Sequence, residues 1–112
     1  MVFTAMLLLN YKPSSTVFLV YSTQDLLEKD RNMIDTMKGL MKPGQRLKTK
    51  LAKDKFKPKE DDIALIDECD DIYFNNLKWF EAAFKDSSII GFTASVPTQR
   101  ERIETLILEK FF

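Results

Sequence analysis

Apolar runs of strand length alternate with apolar stripes at helical spacing along this chain. Thr16-Val17-Phe18-Leu19-Val20-Tyr21 is a continuous β-branched and aromatic run, the pattern of a strand buried on both faces. Ile63-Ala64-Leu65-Ile66 repeats it, and Ser88-Ile89-Ile90-Gly91-Phe92-Thr93 gives a third strand. Leu27, Ile34, Met37 and Met41 recur on one stripe, widened by Leu26, Met33 and Leu40, so a helix is predicted over 24–41. Ser22 or Thr23 stands where its N-cap belongs. Val2 to Asn10 is apolar on most sides and reads as a short helix, or the end of a longer one, stopped by Pro13-Ser14-Ser15. Leu77 to Phe84 reads as a short aromatic-rich helix. Beyond Pro97, Thr98 and Glu101 have capping-box spacing, and Ile103, Leu106, Ile107 and Phe111 line one face of a last helix.

Strands separated by helices imply parallel crossovers, so the expected fold is α/β, a parallel sheet of about three strands with helices on both sides. Ligands of such sheets bind at the carboxyl ends of the strands. Those ends carry Ser22-Thr23, Asp67-Glu68 and Thr93-Ala94-Ser95, each polar directly after an apolar run. This placement is the strongest functional signal in the sequence.

Composition narrows the chemistry. A length of 112 residues suits one small domain, and 45% hydrophobic with 30% charged residues supports a core rather than a disordered tail. Seventeen basic and seventeen acidic residues cancel, which rules out binding driven by overall positive charge. The balance is uneven locally: between 42 and 59, Lys42, Arg46, Lys48, Lys50, Lys53, Lys55, Lys57 and Lys59 face only Asp54. Leu47, Leu51 and Phe56 give this stretch an apolar side, and its first part reads as a short helix. It is either a solvated helix and loop or a phosphate-contacting patch.

Histidine is absent, which removes Ser-His-Asp and Cys-His pairs and His-ligated zinc. Cys69 is the only cysteine, so no internal disulfide forms, and a reducing compartment fits. The seven acids from Glu60 to Asp71 lack the glycine and terminal glutamate spacing of a calcium loop. Trp79, Phe80 and Phe84 read as helix packing ahead of base stacking. No apolar run approaches the ~20 residues of a membrane span, and no signal peptide opens the chain, so an intracellular protein, cytoplasmic or nuclear, is expected.

Ile63 to Glu68 has the form of a Walker B strand, and Asp67-Glu68-Cys69-Asp70 resembles motif II of DEAD-box helicases in its DECD form. Gly91-Phe92-Thr93-Ala94-Ser95 resembles motif III of superfamily 2 helicases. Lys42-Pro43-Gly44-Gln45-Arg46-Leu47 resembles motif Ib, and Val20 to Leu27 sits where motif Ia closes the preceding strand. The resemblance spans nearly the whole chain. It implies part of the first RecA-like lobe, a three-layer fold, of an enzyme that couples ATP hydrolysis to rearranging nucleic acid, RNA ahead of DNA. By this resemblance Asp67 holds Mg²⁺ through water, Glu68 activates the hydrolytic water, and Asp70 couples to Thr93 and Ser95. Ser22, Thr23, Pro43, Gly44 and Arg46 would touch the nucleic-acid backbone.

The departures are definite. No Gly-x-x-x-x-Gly-Lys-[Ser/Thr] occurs; Gly39 and Gly44 have the glycine spacing, but Gln45-Arg46 follows. In the family the phosphate loop and its helix immediately precede the motif Ia strand, so Met1 to Leu9 resembles that helix's tail with the loop missing upstream. A second RecA-like lobe is also missing, and the motif Ib threonine is Lys42. ATP and Mg²⁺ therefore belong to the intact enzyme, and this chain alone is expected to be inactive and to bind neither tightly. Two alternatives stand beside this reading. Tyr21 to Asp30 also resembles the start of the motor helix of the SecA preprotein translocase. A non-enzymatic truncated interaction module is the other.

Overall fold

The computed structural model describes residues 1–93. The last helix expected beyond Pro97 lies outside the described residues. In chain order the elements are α1 (Val2–Tyr11), β1 (Thr16–Tyr21), α2 (Gln24–Leu40), β2 (Arg46–Leu51), a 3-10 turn (Ala52–Asp54), β3 (Ile63–Ile66), α3 (Cys69–Asn75), α4 (Leu77–Ala83) and β4 (Ser88–Gly91). The four strands form one parallel sheet in the order β2-β1-β3-β4. The fold is α/β, a parallel sheet flanked by helices, and it is compatible with part of a RecA-like three-layer domain.

β1 is buried at all six positions because both of its faces are covered. On one face Val17, Leu19 and Tyr21, with Leu47, Leu51, Ile63 and Leu65, pack against Val2, Ala5 and Leu9 of α1 and Leu27, Ile34 and Met37 of α2. On the other, Phe18, Val20, Ala64 and Ile66 meet Ile72 and Tyr73 of α3 and Phe80, Ala83 and Phe84 around α4. The aromatic-rich helix is thus core, as its composition suggests. Truncating a buried aromatic such as Phe80 removes roughly 3–5 kcal/mol of stability in such sites.

Two elements differ from the sequence reading. Arg46–Leu51 is a strand, not a short helix, and raises the count among the described residues from three strands to four. Leu47 and Leu51 are four apart, a spacing that suits one helix face and one strand face equally. Pairing beside β1 from Thr16↔Arg46 to Tyr21↔Leu51 decides for the strand. The acidic stretch after Asp67-Glu68, for which the sequence pattern predicts no element, opens α3, whose buried side is Cys69, Ile72 and Tyr73.

The connection from β2 to β3 contains no α-helix. It leaves the carboxyl end of β2, crosses β1 on the α3/α4 face and reaches the amino end of β3. Phe56 pins it there: its ring stacks on Phe18 at 4.9 Å, and its carbonyl accepts a 2.9 Å hydrogen bond from Trp79 Nε1.

Candidate functional site

From β1 the chain moves outward to β2, returns past β1 to β3, then moves outward again to β4. The reversal lies between β1 and β3, where open parallel sheets take their ligands. Ser22-Thr23 follows β1 and Asp67-Glu68 follows β3, so both segments stand at this switch point. Backbone hydrogen bonds lock the strand tips together. Asp67 N–H donates to the Val20 carbonyl (3.0 Å), Phe92 N–H to Ile66 (2.9 Å) and Cys69 N–H to Phe92 (3.0 Å). Thr93, next after Phe92, therefore lies at the same end of the sheet as Asp67; Ser95 lies outside the described residues.

Glu68 turns the chain from β3 into α3 with φ 49° and ψ 50°, left-handed backbone that disfavours a side chain by about 1–3 kcal/mol. Its carboxyl is held above the usual range by partial burial, then by the charges of Asp67, Asp70 and Asp71. Asp67 is raised too, by desolvation first and then by the Asp30 charge; the Glu68 N–H and the N-terminal ammonium act in the opposite direction. Asp70 Oδ1 is buried without a hydrogen-bond partner among the described residues. Cys69 is buried, its thiol pushed up to about 11 mainly by desolvation, which fits no nucleophilic role.

Sequence reasoning gave Asp30 no role. Its Oδ2 accepts a 2.7 Å hydrogen bond from the hydroxyl of Tyr21 at the tip of β1. Burial first, then this bond, holds the Tyr21 hydroxyl well above its ordinary range, so it stays a donor. The signal was present: Leu27, Asp30, Ile34 and Met37 share one stripe of α2, and Asp30 is the polar member of a core-facing row.

The residues assigned to nucleic acid are not brought together. Thr23 caps α2, its hydroxyl accepting from Leu26 N–H at 3.3 Å, at the carboxyl edge of the sheet. With Ser22 it lines a cleft of about 400 Å³ shared with Lys53, Asn75 and Asn76. Pro43, Gly44 and Arg46 precede β2, and the pairing of Arg46 with Thr16 puts them at the opposite, amino edge. A six-residue strand separates the groups by about 17–20 Å. There Lys42 to Gln45 form a tight turn closed by Gln45 N–H to the Lys42 carbonyl (3.1 Å), with Gly44 at φ 90°. Proline followed by a positive-φ glycine suits a type II turn. Gln45 Nε2 then donates to the Leu9 carbonyl, and Arg46 to that of Ser14 at 2.6 Å. These residues, which resemble motif Ib, therefore lie outside the strand-tip site.

The chain matches no protein-family model, no curated protein and no solved structure. Asp67 and Glu68 place two carboxyls at the tip of β3. A phosphate cradle is lacking among the described residues: Gly39 lies inside α2 and Gly44 in the turn at the far edge. No group of three or more Cys, Asp or Glu side chains among the described residues is close enough to hold a metal unaided. Nor is any described helix long and apolar enough to cross a membrane.

Proposed function

We propose that this chain is part of the first RecA-like lobe of a nucleic-acid-remodelling ATPase, carrying the acidic side of its nucleotide site. The reading rests above all on Asp67-Glu68 at the tip of β3, beside the switch point of a parallel sheet. One further observation supports it: Glu68 is held in strained backbone at the same tip. With no Gly-x-x-x-x-Gly-Lys-[Ser/Thr] loop in the sequence to cradle a triphosphate, the chain alone does not hydrolyse ATP in this reading.

Titration with a fluorescent ADP analogue, with and without Mg²⁺, tests the reading. Weak, Mg²⁺-dependent binding is expected, abolished by Asp67→Asn and retained in Arg46→Gln. Binding indifferent to Asp67→Asn contradicts it. Phosphate release from ATP is expected at background; turnover that vanishes in Glu68→Gln would reveal a phosphate cradle this account lacks.

A further inference from the structure

Arg46, Lys48 and Lys50 alternate along β2 with Leu47 and Leu51, which are buried on the α1/α2 face. The three basic residues therefore turn to the opposite face. There the crossover, α3 and α4 cover β1 and β3, but no side chain of β2 belongs to that core. A margin of sheet is left open, with Lys48 exposed and Lys50 half-buried, about 6.6 Å apart at ~3.3 Å per residue. The crossover brings exposed Lys53, Lys55, Lys57 and Lys59 to the same side. Asp54, the single acid between 42 and 59, is engaged elsewhere: its Oδ2 accepts from Leu51 N–H at 2.9 Å. The one ion pair among the described residues, Arg31 with Glu28, lies on α2.

We infer that this open margin of β2 and the adjoining crossover form a track for the backbone of a single-stranded nucleic acid. Lysines in a row meet a linear polyanion as point charges and read no sequence. With zero net charge over the chain, the attraction is local to this margin. The carboxyl end of the track runs through Lys53 to the mouth of the cleft of Ser22, Thr23, Asn75 and Asn76, where Asp71 in the same lining opposes a phosphate and marks the end of the track. Lysines on an edge strand also deter stray strand pairing, yet that role does not account for this pattern. The basic run continues past β2 into the crossover, which has no sheet edge to protect. Among the described residues the other edge strand, β4, is Ser88-Ile89-Ile90-Gly91 and carries no charge.

The inference rests on the nucleic-acid half of the proposed function and needs nothing from its nucleotide half. Its test is fluorescence anisotropy of a labelled 12-nucleotide single-stranded RNA at two salt concentrations, with polyglutamate as a competing probe. Weak, salt-sensitive binding is expected. Lys48→Gln/Lys50→Gln should weaken it about tenfold at low salt and reduce the log–log salt slope by about 1.4. Lys12→Gln/Lys38→Gln, with the same change in net charge away from the track, should leave both nearly unchanged. Equal losses in the two variants, absence of RNA binding, or polyglutamate competing as well as RNA would overturn the inference. So would unchanged RNA binding in a Lys48/Lys50 variant that self-associates on gel filtration. Loss with Lys53→Gln but not with Lys48→Gln/Lys50→Gln overturns the track while sparing the strand-tip reading, which the ADP titration tests separately.

Discussion

At the amino edge of the sheet the chain enters β2 through Gly44, and at the carboxyl edge it leaves β3 through Glu68; both residues have positive φ, 90° and 49°. The first turn uses the residue made for that backbone, and its neighbours are spent on structure: Gln45 ties to α1 and Arg46 to the Ser14 carbonyl. The second puts a charged, partly buried side chain in the same backbone region, among other acids. A turn optimised for stability and a turn that carries strain therefore sit at opposite ends of one strand length. The strained one coincides with the switch point, where strain is commonly retained for function.

Four measurements sharpen or break this contrast. The largest effect is expected beneath the carboxyl edge. Ile66→Ala, directly before Asp67 and fully buried, should lose about 2–5 kcal/mol in chemical denaturation. A loss below 1 kcal/mol would mean the tip of β3 is not held by a close-packed core. Next, Gly44→Ala should cost about 1–2 kcal/mol although open space surrounds the position, because the cost is in the backbone. Third, Glu68→Gly should raise stability by about 1 kcal/mol, the reverse sign at the other edge. A destabilised Glu68→Gly would show that Glu68 makes contacts that outweigh its strain.

The smallest effect is on pH dependence. Asp67 and Glu68 both titrate above their unfolded values, so the folded chain holds more protons than the unfolded chain in that interval. Their joint contribution is then most favourable below the ordinary carboxylate range and declines as pH rises through the raised values. Asp67→Asn should flatten that decline in denaturation measured across the acidic range. An unchanged profile would place the carboxyl in water.

How much of this was legible beforehand differs between the edges for physical reasons. β1 and β3 are buried on both faces, so their runs are unbroken, and each polar residue after such a run marks a carboxyl tip. Asp67, Glu68 and Thr23 were found that way. β2 is an edge strand with one face open, and its leucines four apart suit helix and strand alike, so its pairing partner decides. The Pro43-Gly44 segment resembled a phosphate-contacting motif in composition, but a motif of this kind must follow its strand, and this one precedes it. Asp30 was hidden because one polar residue in an apolar stripe reads as a gap until a buried tyrosine is seen to fill it.

The central claim is that the functional end of the sheet is the tip of β3 and not the entry to β2. Amide line broadening by Mn²⁺ and ADP, read residue by residue in the nuclear magnetic resonance spectrum, tests it most directly. Broadening is expected to centre on Asp67, Glu68 and Phe92, to spare Gly44, Gln45 and Arg46, and to disappear in Asp67→Asn. Broadening centred on the Gly44 turn, or unchanged by Asp67→Asn, would contradict it.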